Sequence, residues 1–176
     1  MKRFSDAVWG AVGCFLSFLA VGALDTFIFA PQGVPFMLGS FGTISILYFA
    51  AGLQAPLLRP HNIIGGHVIA ASLAYVSVMF IQPAFVARAV GMAATVFVML
   101  MTGSVHPPGG ALVVMLTDNA RLRALGPLYI LFPGLTGALL LMVGAALTDS
   151  LKRRFPFELA DVTAVLGRGR PALKTA

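Results

Sequence analysis

His106-Pro107-Pro108-Gly109-Gly110 is the stretch of this 176-residue chain whose residue types could do chemistry. Proline suits the first turn of a helix, where its missing N–H removes no bond. The pattern predicts a helix starting near Pro107, with Gly109 and Gly110 in its first turn. A helix N-terminus carries partial positive charge and free donors, and glycines leave the backbone open to close approach, so the expected ligand is an anion. His106 stands where its imidazole would donate to the same ligand. The competing reading is a kinked helix whose glycines serve packing and whose His106 bonds a neighbouring carbonyl.

Two further stretches have comparable types. Gly39-Ser40-Phe41-Gly42-Thr43 reads as a second small-residue helix start with two hydroxyls, preceded by breaks at Pro31 and Pro35. Close helix packing through small residues is its bland alternative. Arg59-Pro60-His61-Asn62-Ile63-Ile64-Gly65-Gly66-His67 is polar and then enters an apolar helix, with Asn62 placed as a cap. His67 falls inside that helix, and ionisable groups at membrane depth face bundle interiors and serve pathways. A histidine satisfied within the fold is the alternative. Asp25, near the end of the first apolar run, reads as interfacial, and Asp118 and Asp149 as boundary residues. No two acids are spaced for hydrolysis, so no catalytic residue and no enzyme activity is expected. The histidines lack a metal-binding spacing, and the lone Cys14 excludes an intrachain disulfide or cysteine cluster. Neither metal nor cofactor is expected.

These residues need elements to position them. Hydrophobic residues make up 59% of the chain and charged ones 10%, against roughly a quarter charged in soluble domains, so the partner is a lipid bilayer. The net charge of +6 does not indicate nucleic acid, because the basic residues cluster at the two ends. The expected fold is all-α and polytopic. Apolar stretches cover about 7–30, 37–56, 63–82, 84–102, 107–118 and 127–149, of which four or five are long enough to cross. Residues 1–6 read as an N-terminal tail, 7–149 as the transmembrane domain and 150–176 as a basic C-terminal tail.

If all six stretches alternate from an inner N-terminus, the inner side receives Lys2, Arg3, Arg59, Lys152, Arg153, Arg154, Arg168, Arg170 and Lys174. The outer side receives Arg88, Arg121 and Arg123. That satisfies the positive-inside rule and puts both termini in the cytoplasm of a bacterial inner membrane. Gly39-Ser40 and Gly103-Ser104 each follow a long apolar run, which suggests a 3+3 repeat. An odd repeat length would invert the second unit. Small-residue faces left without partners suggest a homo-oligomer, with a dimer favoured on symmetry grounds.

His106-Pro107-Pro108 with Gly109-Gly110-Ala111 resembles the signature of the HPP family of integral membrane proteins. Gly39–Thr43 resembles that family's Gly-Ser-Phe-Gly-Ala stretch, and residues 59–67 its Pro-x-Asn-x-Ile-Gly-Gly-His stretch, all in the expected order. His61 and Gly109 depart from the commoner residues, a polar side chain such as arginine and an alanine. The resemblance implies transport of a small anion, nitrite first, since plastid and cyanobacterial members are associated with nitrite. Opposed helix starts would cradle the anion, so substrate is expected at Gly39, Ser40, Phe41, Gly42, Thr43, Asn62, Gly65, Gly66, His67, His106, Pro107, Pro108, Gly109 and Gly110. The alternatives are a non-transporting assembly protein and a channel for a small neutral solute.

Overall fold

The computed structural model describes residues 4–155, and most of the expected tail sequence lies outside the described residues. Among the described residues every regular element is helical. Helix α1 (Phe4–Leu24) continues through a π-turn at Asp25–Phe29 and a 3-10 turn at Ala30–Gln32. Helix α2 (Ser40–Ile46) is prolonged by a π-turn at Leu47–Ala51. Then come α3 (Pro60–Phe80), α4 (Ala84–Thr102), α5 (Pro107–Asp118), the single turn α6 (Ala120–Arg123) and α7 (Gly134–Arg154), the last after a 3-10 turn at Gly126–Ile130.

Four stretches are long and apolar enough to cross a bilayer: Phe4–Gln32, Pro60–Phe80, Ala84–Thr102 and Gly126–Arg154. The second apolar stretch, expected over 37–56, is shorter than its hydropathy suggests. It is helical only over Ser40–Ala51. Chain without regular structure precedes it, and Gly52, at φ 85°, stops it. It therefore matches α5, whose 12 residues reach about 18 Å, well under a hydrocarbon core of about 30 Å. Helix α7 runs past 149 to Arg154, with Lys152, Arg153 and Arg154 in a last turn whose dipole favours cations.

Side-chain neighbours fix the directions. Gly13 lies against Thr148 and Gly144 against Ser17, so α1 and α7 are antiparallel. The Trp9 indole donates to the Phe155 carbonyl at 3.2 Å, so the two described ends share one face. Gly52–Gln54 line the same cavity as Asp6–Gly10, so α3 starts where α1 starts. Residues 81–83 turn the chain into an antiparallel α4. The first unit (α1, α2, α3) and the second (α4, α5, α7) are thus both long–short–long, and the second is inverted.

The units interlock. α1 packs on α7, α4 packs on α3, and α2 touches α5 as α3 touches α7. Exchanging the units leaves that pattern unchanged. Phe41, Ile44, Ile63, Leu112, Leu116 and Leu141 fill the centre, while Phe15, Phe27, Phe80, Phe85 and Phe97 face outward. Lipid is as apolar as leucine, so outward burial drives nothing and close packing holds the bundle.

Candidate functional site

The site grows from the contact between α3 and α5. Gly65 faces Ser104, Gly66 faces His106 and Gly109 faces Ala70, so the chain into and along α5 runs parallel to α3. A methyl on Gly66 would overlap the His106 Cβ and lie 3.1 Å from the Ser104 carbonyl oxygen. One on Gly109 would lie 2.9 Å from the Gly66 carbonyl oxygen. These glycines let the backbones touch, and that contact sets His106 against His67. The two rings have centroids 4.8 Å apart, tilted by 42°, and both residues are 0% exposed.

Each ring is held by a backbone carbonyl. His67 Nδ1 lies 2.8 Å from the Ile63 oxygen, and His106 Nδ1 lies 3.4 Å from the Leu57 oxygen. A carbonyl only accepts, so Nδ1 donates in both, and the Nε2 of a neutral ring carries a bare lone pair. Both Nε2 atoms are buried without a protein partner. Buried polar atoms are ordinarily paired, and the exceptions ask for an explanation.

The backbone at the start of α5 differs from expectation. Pro107 and Pro108 have no N–H, and the Gly109 N–H is spent on the His106 carbonyl at 3.0 Å. No open row of amides waits there for an anion. The glycines do the packing, and Gly110 faces the Met92 thioether. Pro108 is buried and Pro107 exposed. Asn62 is not the cap either, because α3 begins at Pro60 with Arg59 before it. Its Nδ2 donates to the Pro56 carbonyl at 2.9 Å and so ties down the segment whose Leu57 carbonyl holds His106.

Burial divides the residues of Gly39–Thr43. Ser40 is buried with an unpartnered Oγ, but Gly39 and Thr43 are exposed. Phe41 is fully buried and seats its ring on Gly137 of α7. Gly134, one turn before, meets Leu112. Because α7 runs antiparallel to α5, Gly137, one turn on from Gly134, lies toward the start of α5, and the first turn of α2 lies there with it.

Two contributors were not among the expected site residues. Leu57 gives a carbonyl, which no side-chain motif reports. Thr95, 1% exposed with an unpartnered Oγ1, lies on the α4 stripe Ala87, Gly91, Thr95, Met99 that faces the site. The four-residue spacing of that stripe was readable. Asp25 accepts from the Phe36 and Met37 amides at 3.0 and 3.1 Å and anchors the coil before α2. His61 contacts the Thr102 carbonyl at 3.1 Å, outside the pair. Arg88 pairs with Thr117 and Asp118, joining the far ends of α4 and α5.

A separate cavity of about 590 Å³ lies between α1, α2 and α7, lined by Cys14, Ser45, Tyr48 and Thr148. Among the described residues, no group of three His, Cys, Asp or Glu side chains could hold a metal ion.

Known proteins agree with this picture at the level of family. The model of the HPP transmembrane region matches residues 1–156. One transmembrane protein of Dictyostelium discoideum is 29% identical over 154 residues, covering 84% of this chain and 49% of that protein. A second from the same organism is 30% identical over 127 residues, covering 70% of this chain and 44% of its own length. The chain thus spans about half the length of these relatives. No solved structure matches it significantly. Three ordered motifs, the parallel α3–α5 contact that uses two of them and a match across nearly the whole chain lead to one conclusion: this membrane protein belongs to the HPP family.

Proposed function

We propose that this chain passes a small inorganic anion across the membrane, nitrite being the first candidate, by way of the buried pair His67 and His106. The observation that carries the reading is a pair of fully buried imidazoles in contact at a helix break, each with an unpartnered Nε2. A polar atom kept dry at membrane depth costs several kcal/mol unless something uses it, on the order of 2–7. Because the amides at Pro107–Gly109 are absent or spent, the donor to an anion is a protonated ring. Weak holding by a transient charge also lets the ion leave, as conduction requires.

The test is nitrite uptake into proteoliposomes against protein-free vesicles. The expected result is protein-dependent uptake that falls at least tenfold in His106→Ala and is kept in His61→Ala. Equal uptake in all three proteins would overturn the reading. A second reading has its own support, since neutral Nε2 lone pairs accept from N–H donors such as ammonia. Ammonia flux without nitrite flux would select it, and neither flux would leave a packing or assembly protein.

The proposal carries no chemical transformation and no cofactor. It places the chain in a bacterial inner membrane with both termini cytoplasmic, an orientation supported by the charge asymmetry and by the Trp9–Phe155 hydrogen bond. It also includes a homodimer.

A further inference from the structure

We infer that the His67–His106 pair is a one-proton site, loaded by one proton for each anion that enters. The inference rests on the anion reading and adds its coupling. Each ring has its Nδ1 committed to a carbonyl of the fold, Ile63 or Leu57, so the bare Nε2 atoms are where a proton can go. With ring centroids 4.8 Å apart and both residues fully buried, a first positive charge repels a second through little screening. The pair therefore holds one charge, not two.

Among the described residues no fixed carboxylate answers that charge. On α3 and the segment before it the charged or titratable groups are Arg59, His61 and Tyr75, with His61 on the Thr102 carbonyl. Helix α4 offers Arg88 and α5 offers Asp118, and these pair with each other at the far ends of both helices. Tyr129, ahead of α7, spends its hydroxyl on the Leu112 carbonyl at 2.7 Å. On α7, Asp149 holds Lys152 and Arg153 beside the chain ends, and Lys152 also meets Asp6. Asp25 is bound by two amides. The counter-charge is thus the mobile anion. The proton passes from hydronium to Nε2 on the loading side and from Nε2 to water on the other. The transported pair is neutral overall, and proton and anion favour each other's binding by the same factor.

Only three histidines are present, so 15N-histidine NMR of the whole protein in lipid resolves each ring. Expected at alkaline pH are Nδ1–H tautomers for His67 and His106. With saturating nitrite, one imidazolium per pair should appear, with uptake of about one proton per nitrite bound in unbuffered medium. In His67→Gln, nitrite-driven proton entry should fall at least tenfold while thermal melting stays near that of the parent. An Nε2–H tautomer in either ring, two imidazoliums together, or stoichiometric copper or zinc on the rings would overturn the inference. Nitrite flux without proton uptake overturns the coupling and leaves the anion reading standing. A single proton taken up on acidification, with no nitrite flux at any pH, supports the site and overturns the anion reading.

Discussion

Related by exchange of the two inverted units, the α3–α5 contact and the α7–α2 contact use one packing device with different chemistry. In the first, the ring of His106 follows its Cβ across Gly66 of α3; in the second, the ring of Phe41 sits on Gly137 of α7. The first contact is packed through Gly109 to Ala70 and Met99. Beside the second, a cavity of about 590 Å³ stays open between α1, α2 and α7. In both units a glycine makes room for the start of a short helix, and only one of the two contacts carries a ring with nitrogen. Conservation of shape and placement of chemistry are separable here.

That separation can be attacked directly. The largest effect is expected from Gly66→Val, which drives into the His106 Cβ and the Ser104 carbonyl, and from Gly137→Val, which evicts the Phe41 ring. A loss of about 3 kcal/mol, or roughly 6–12 °C in melting temperature at this chain length, should follow in detergent. Gly42→Val, at a site where an added Cβ meets nothing, should stay within about 0.5 kcal/mol. If it melted with the other two, the ring seats would be nothing special.

Phe41→Ala comes next, at about 3 kcal/mol, because it empties a fully buried seat. Its counterpart His106→Phe should keep melting within about 1.5 kcal/mol while abolishing anion flux, since the ring remains and Nε2 does not. A variant that lost both together would show that the imidazole is structural.

Smaller effects probe the cavity. Cys14→Leu adds volume where space exists and should move stability by less than about 1 kcal/mol. In the parent protein Cys14 should react with a small maleimide at least tenfold faster than a cysteine placed at Ala70 in a Cys14→Ser background. Comparable rates would mean that the α3–α5 side is no better sealed. Smallest is Arg88→Ala. Its partly exposed pairing with Asp118 is worth at most about 1 kcal/mol, so a larger drop in melting would assign it a role beyond tying α4 to α5.

Much of this was legible in the residues. Pro107 announced the start of α5 because proline suits a first turn and little else in a helix, and the extent 107–118 followed from apolar length. Hydropathy overstated the second stretch, since it cannot distinguish irregular chain at 34–39 from helix, nor see that Gly52 ends one. Gly66 and Gly109 were visible as glycines but ambiguous between baring amides and letting backbones touch; only the partner helix decides. The His67–His106 contact was not legible at all. It depends on the offset between two parallel helices 39 residues apart in sequence, and no local pattern encodes that number.

The hydrogen bond from Trp9 to the Phe155 carbonyl bears on chain topology. With the described ends adjacent, a short linker could close the bundle into a ring, and opening it at residues 81–83 would give a permuted order beginning with α4. Every contact between the units would be available to that chain, yet its termini would emerge from the other face. Insertion of such a permutant would then set the fold's internal symmetry against the lysines and arginines that orient it, and show which of the two governs assembly in the membrane.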